Sequence, residues 1–95
     1  MIVRFSIDPI EQGRYDYRVT HEGENLYDDS GLDSIRDCII AATEGLGQDA
    51  VAAEVAYKGI ISGTYALASL ALMPDRIAEH ALQTAEAIEE ARAGG

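Results

Sequence analysis

The segment from Tyr65 to Leu72, with the sequence YALASLAL, decides the fold that we expect for this chain. Drawn as a strand, it has Tyr65 and Leu67 on one face and Leu70 and Leu72 on the other, so both faces are apolar. Strands that are covered on both sides of a sheet have this pattern. We therefore predict extended chain up to Pro74, where the proline begins the last helix.

The residues on the amino-terminal side of this segment are predicted to form its hairpin partner. Residues 57–65, YKGIISGTY, contain the glycines of a hairpin turn, either a five-residue loop from Gly59 to Gly63 or a tighter turn at Ser62-Gly63. Residues 50–58 alternate as a strand does, but they are also rich in alanine, the best helix former. We prefer the strand, and a short helix is the alternative.

The first part of the chain shows the same alternation more clearly. Residues 2–8 and 14–21 alternate between apolar and polar side chains, which is typical of strands with one buried face. Paired across residues 9–13, they match on both faces, because Ile7 lies opposite Tyr15 and an aspartate lies opposite an arginine. We predict a first hairpin in this register.

Two helices complete the predicted domain. Ser30 is expected to cap the first helix, whose apolar side chains recur every three or four residues. These are Leu32, Ile35, Ile39, Ala42 and Leu46.

The predicted fold is one α+β domain over residues 1–95, with two β-hairpins and two helices in the order ββαββα. The four strands form an antiparallel sheet with both helices on one face. Both hairpin loops end in glycine, which suggests either an internal duplication or a chance likeness.

The opening hairpin, the acidic turn after it and the following helix resemble the antitoxin half of HicAB toxin–antitoxin systems. The resemblance covers residues 2–46. The Pro-Asp-Leu-Pro-Gly segment of that family is missing from this chain, so the resemblance implies no role for any particular residue.

Charge excludes one broad class of function. The chain has 17 acidic and 7 basic side chains, a formal net charge of -10, and its basic residues are scattered. Nucleic-acid affinity comes largely from lysine and arginine that displace counterions, so direct nucleic-acid binding is not expected.

An acidic surface is predicted between the second strand and the first helix, at Glu22, Glu24, Asp28, Asp29 and Asp33. Their spacing does not match a calcium-binding loop, and a solvated loop is preferred to a cation site.

No catalytic constellation is found in the sequence. Cys38 lies beside the apolar stripe of the first helix and is expected to be a buried, inert thiol. His21 and His80 belong to no metal-binding spacing, so no zinc site is expected. The five tyrosines are expected mainly in the core. We predict no catalytic, cofactor-binding or metal-binding residue and no cofactor.

These observations favour a non-enzymatic, bacterial-type domain that acts by protein–protein contact. Ala66, Ala68, Leu70 and Leu72 form the second apolar face of the segment before Pro74. This face needs a cover, and we predict a homodimer that supplies it. A loop or the chain terminus of the same molecule over this face is the alternative. The high negative charge favours a basic partner. A single cysteine and no signal-peptide pattern predict a cytoplasmic protein without membrane contact. The alternative is a small ligand- or metal-binding protein, or a weak enzyme, with a site at the dimer interface.

Overall fold

The computed structural model describes residues 1–94, which form a sheet of five strands with three helices. The elements are β1 Ile2–Glu11, β2 Arg14–His21, β3 Glu24–Leu32, α1 Ile35–Glu44, β4 Ala52–Tyr57, β5 Ile60–Ala66, α2 Leu67–Leu72 and α3 Pro74–Gly94. The α+β class is confirmed. The predicted ββαββα order with four strands is wrong, since the order is βββαββαα.

The strands lie in the order β3-β2-β1-β4-β5. β1 and β4 run parallel, whereas the other neighbours are antiparallel, so the predicted all-antiparallel sheet is also wrong. The parallel pairing of β1 with β4 results from the third strand, β3, which the prediction did not contain. After β3, the chain crosses the sheet through α1 and enters β4 from the end at which β1 starts, and a helical crossover of this kind joins parallel strands. Val51 donates a backbone hydrogen bond to Met1 at 2.9 Å and extends the parallel pair.

The first hairpin forms, but two residues away from the predicted register. Ile7 pairs with Tyr17 and Phe5 with Val19, because β1 continues through Pro9 to Glu11 and the turn is only two residues long. Proline is tolerated there because β1 pairs with β4 only as far as Ile7, which leaves no neighbour on that side to accept a hydrogen bond from residue 9. A shift of two keeps each side chain on its predicted face.

The second hairpin turns earlier than either predicted loop. Lys58 and Gly59 form a two-residue turn with φ values of 54° and 78°. Positive φ at both positions is the backbone of a type I′ turn, and glycine adopts it without steric cost. Residues 52–57 are strand, as preferred over the helix alternative.

The extended conformation predicted for residues 65–72 is wrong beyond Ala66. Leu67 to Leu72 form the helix α2, and Leu70 points into the core with 0% of its surface exposed. Alternation cannot distinguish a strand from a helix when nearly every position is apolar, and alanine and leucine are strong helix formers. The helix resolves the two-faced pattern by burying Leu70 and leaving Leu72 80% exposed.

The core lies on one face of the sheet, between the strands and the helices. Inward-facing side chains of β1, β2, β4 and β5 pack against one side of α1, α2 and α3. The helices lie on one face of the sheet, as predicted, and the buried residues of α3 are Ile77, Ala78, Ala81 and Ala85. The largest fully buried side chains are Phe5, Ile7, Ile39, Leu70, Val3, Val19, Val55 and Cys38. The opposite face of the sheet carries polar residues of β1 and β2, including Arg4 and Arg18, both exposed.

The first helix begins four residues later than the sequence indicated. Ser34, not Ser30, is its N-cap, and its hydroxyl oxygen accepts a hydrogen bond from the backbone N–H of Asp37 at 3.0 Å. Ser30 belongs to β3, which continues to Leu32.

We expect Ser34→Ala to lower the free energy of unfolding by about 1 kcal/mol, because an N–H of the first turn loses its partner. Ser30→Ala is the matched control, since Ser30 is an exposed strand residue; its effect should stay within about 0.5 kcal/mol. Urea unfolding followed by circular dichroism measures both. Equal effects of the two substitutions would contradict the observed cap.

Candidate functional site

The two outer strands of the sheet differ sharply in charge. β3 and β5 each have one side without a neighbouring strand in the part of the chain that the structure describes. β3 and its flanking residues carry the five predicted acidic side chains. β5, with the sequence IISGTYA, has no charged side chain. Unpaired strand edges invite pairing with other chains, and charge on an edge opposes it. The two edges therefore have different capacities for contact.

The acidic edge consists of Glu22, Glu24, Asp28, Asp29 and Asp33. All five are exposed. Glu22 lies in the turn before β3, three of the others lie on β3, and Asp33 follows it. Asn25 donates a hydrogen bond to Asp28 at 2.9 Å. The backbone N–H of Ser30 donates to Asp29 at 2.8 Å.

No lysine or arginine among residues 1–94 forms an ion pair with the acidic edge. The ion pairs that the structure contains, such as Arg4 with Glu54 at 2.6 Å and Lys58 with Glu89 at 3.3 Å, involve other carboxylates. Burial raises the pKa of Tyr17 above its ordinary value, and Asp29, Cys38 and Asp28 raise it further. The carboxylates of the acidic edge therefore lack ion-pair partners in this part of the chain, although Arg18 lies opposite Asp28 in the β2–β3 pair.

Tyr27 holds this edge strand on the rest of the domain. Its hydroxyl donates a hydrogen bond to the carbonyl oxygen of Ala42 near the end of α1. Its ring lies against Gly45, where an added Cβ would come within 2.8 Å of the ring. The ring also packs edge-on against Tyr17, with centroids 6.4 Å apart. Burial raises the pKa of Tyr27 to about 12. The carboxylates are thus presented on an anchored strand rather than on a free loop.

The predicted dimer residues do not share a face. Ala66 ends β5, whereas Ala68, Leu70 and Leu72 belong to α2. Leu70 lies in the core of its own chain, and the other three are exposed. The premise of a strand with two apolar faces is wrong; self-association itself stays a prediction.

The neutral edge, β5, was missed as a surface. Its residues Ile61, Thr64 and Ala66 are exposed, and Ile61 is exposed by 47%. The dipeptide Lys58-Gly59 could have predicted this strand from the sequence. A two-residue turn at these positions places Ile60 and the following residues in a full strand paired with β4. That β5 is the last strand of the sheet follows only from the tertiary structure.

Cys38 is buried, as predicted. Its side chain is 0% exposed, and its sulfur lies 4.0 Å from the carbonyl oxygen of Asp16. Burial raises the pKa of the thiol to about 12, and the carboxylates of Asp16, Asp37 and Asp29 add to the effect. His21 lies five residues further along β2 than Asp16, about 17 Å at 3.3 Å per residue, so it cannot serve as a base for this thiol.

All five tyrosines belong to the core or pack against it, whereas the sequence analysis expected this of most of them. Tyr15 and Tyr57 approach with ring centroids 6.4 Å apart. In the same part of the chain, residues 1–94, no group of three or more histidine, cysteine or acidic side chains is arranged to hold a metal ion.

A shallow groove of about 280 Å³ lies where β1 begins and β2 ends. Arg4, His21 and Glu54 contribute to its lining. The guanidinium of Arg4 is neutralised by Glu54, so the groove offers no free cation to an anionic ligand. We assign it no ligand.

Comparison of the chain with protein-family models, with curated proteins and with solved structures returns no match. No helix within residues 1–94 combines the length and the apolar character needed to cross a bilayer.

Proposed function

We propose that this protein is a small acidic protein-interaction domain that acts by contact with a basic partner and associates with a second copy of itself. The observation that carries the proposal is the acidic edge, in which five exposed carboxylates without ion pairs lie on an open strand or directly beside it.

Electrostatic attraction supports a basic partner. Carboxylates concentrated along one edge raise the local concentration of cationic groups and accelerate encounter. The free backbone groups of β3 can add hydrogen bonds to an extended basic segment, as in complexes in which a peptide joins a sheet as an extra strand. Charge and backbone therefore favour the same kind of partner, an extended chain with lysine or arginine at alternate positions.

A synthetic decapeptide of alternating lysine and valine is a suitable probe, with binding measured by titration calorimetry at about 50 and about 200 mM salt. We expect the affinity to fall at the higher salt concentration, because exposed charge contacts are screened. Asp28→Asn with Asp29→Asn should weaken binding roughly fivefold, since each exposed charge contact contributes about 0.2–1 kcal/mol.

The matched control is Glu86→Gln with Glu90→Gln, two exposed residues of α3. It changes the net charge of the chain by the same amount but leaves the acidic edge intact. We expect the control to bind within about twofold of the original chain, since it removes no contact at the edge. Binding that is insensitive to salt, or equal losses in both variants, would contradict the proposal.

A further inference from the structure

We propose that the second copy binds at the neutral edge, so that β5 of one chain pairs antiparallel with β5 of the other and the two sheets become one. This inference specifies the self-association in the proposed function and locates it on a surface separate from the acidic edge.

The charge contrast between the two edges selects β5. Pairing β3 with its own copy would place Asp28 and Asp29 of both chains in one strand pair, and like charges directly opposite each other are destabilising. The neutral edge carries no lysine, proline or acidic residue along Ile60–Ala66, so it lacks the side chains that commonly protect an edge strand.

The side chains of β5 suit an added strand. Ile60 is only 9% exposed and packs in the core together with Tyr65, which holds the inner side of the strand. Ile61, Thr64 and Ala66 are exposed and uncharged. A new neighbour would thus meet a β-branched aliphatic residue, a threonine and a small residue, and β-branched side chains pack well across strands.

The irregularity in β5 is satisfied within its own hairpin. Ser62 is the extra residue where the register shifts between Val55 and Ala56. Its hydroxyl donates a hydrogen bond to the carbonyl oxygen of Val55 at 3.3 Å. This contact points toward β4, so it does not use a group needed on the open side.

The arrangement also reconciles self-association with a net charge of -10 per chain. Antiparallel pairing of identical strands is two-fold symmetric and closes as a dimer. The joined sheet would have ten strands, with the two acidic edges at its ends, about 43 Å apart at about 4.8 Å per strand. This separation is several times the screening length of about 8 Å at physiological salt. The acidic edges would remain free for partners and would repel a third chain.

Sedimentation equilibrium at micromolar to submillimolar concentration tests the pairing. We expect the unmodified chain to dimerise and Ile61→Lys to raise the dissociation constant at least tenfold. Leu26→Lys is the matched control: Leu26 is 39% exposed on β3, so it adds the same charge to the other edge. It should change the constant less than twofold. Thermal melts of all three proteins establish that each is folded.

Cross-linking gives a second measurement that does not depend on a destabilising charge. Under oxidising conditions, Thr64→Cys should form a covalent dimer, whereas Leu26→Cys should dimerise through β5 without forming a covalent link between the two chains. The native thiol does not interfere, since Cys38 is 0% exposed.

Two outcomes would overturn the inference. If the unmodified chain is a monomer throughout this range, self-association fails, and the peptide titration still decides whether the acidic edge binds a basic partner. If a dimer forms but resists Ile61→Lys, self-association stands and its placement on β5 is wrong. Ile61→Lys should bind the lysine–valine peptide as the unmodified chain does, because the substituted residue lies at the opposite end of the sheet.

Discussion

Leu70→Lys is expected to unfold the chain. Leu70 is 0% exposed and belongs to the single core cluster of the described residues, in which it holds α2 against the other helices and the sheet. Truncation to alanine should cost about 2–5 kcal/mol, the range for leucine in a packed core. A lysine ammonium at the same position would be buried without a partner, which costs more than the truncation. Domains of this kind are stable by about 5–15 kcal/mol, so few folded molecules should remain.

Far-ultraviolet circular dichroism and urea unfolding measure this effect. Leu72→Lys is the control, because Leu72 lies on the same helix and is 80% exposed. Its free energy of unfolding should stay within about 0.5 kcal/mol of the original. A strand with Leu70 and Leu72 on one face predicts similar effects for both substitutions, whereas α2 predicts a large difference. A folded Leu70→Lys protein with an unchanged midpoint would contradict the observed packing.

Alkaline pH is expected to destabilise the fold through Cys38. Its pKa is raised from 9.0 to about 12, mainly by burial. Between these values the folded state keeps a proton that the unfolded state releases, so the free energy of unfolding falls as pH rises. At 1.36 kcal/mol per pKa unit, the loss from this thiol should reach about 4 kcal/mol at pH 12 and should be absent below about pH 8. Tyr27, raised from 10.0 to about 12, adds to the loss above pH 10.

Urea unfolding at pH 8, 10 and 11 tests this prediction, with Cys38→Ala as the comparison. The alanine variant should lose less stability between pH 8 and pH 11, because it lacks the buried thiol whose pKa is raised in the folded state. At pH 8 a thiol reagent should modify Cys38 only as fast as the native chain opens. Parallel pH dependences for the two proteins, or immediate modification of the thiol, would be inconsistent with its burial.

Alternation along β1 and β2 correctly predicted which side chains face the core. Val3, Phe5 and Ile7 are buried, and so are Tyr17 and Val19. The register was wrong by two residues because a two-residue shift changes no face, so polarity carries no information about it. Only the length of the turn at Gly13, with φ of 76°, determines which residues pair.

The secondary structure of the segment from Ala66 to Leu72 cannot be predicted from its local sequence pattern. Every position except Ser69 is apolar, so neither the two-residue period of a strand nor the 3.6-residue period of a helix can be recognised. The choice between strand and helix depends on what surrounds the segment: β4 ends its pairing with β5 at Ala66, and the space between α1 and α3 accepts Leu70. Both facts belong to distant parts of the chain.

The acidic edge was recognisable as a set of residues but not as an edge. Glu24, Asp28 and Asp29 were expected in or beside a turn, yet they lie on a nine-residue strand at the boundary of the sheet. β5 as the opposite boundary could not be predicted, because the parallel pairing of β1 with β4 sets the strand order.

The sequence by itself determined the buried and exposed faces of β1 and β2, the buried thiol and the excess of negative charge. These properties depend on side-chain polarity within a few residues of chain. The tertiary structure alone decided the strand order, the two registers, the helix at residues 67–72 and the contrast between the two edges. Strand neighbours and packing partners are far apart in sequence, and they are selected by the free energy of the whole core rather than by any one segment.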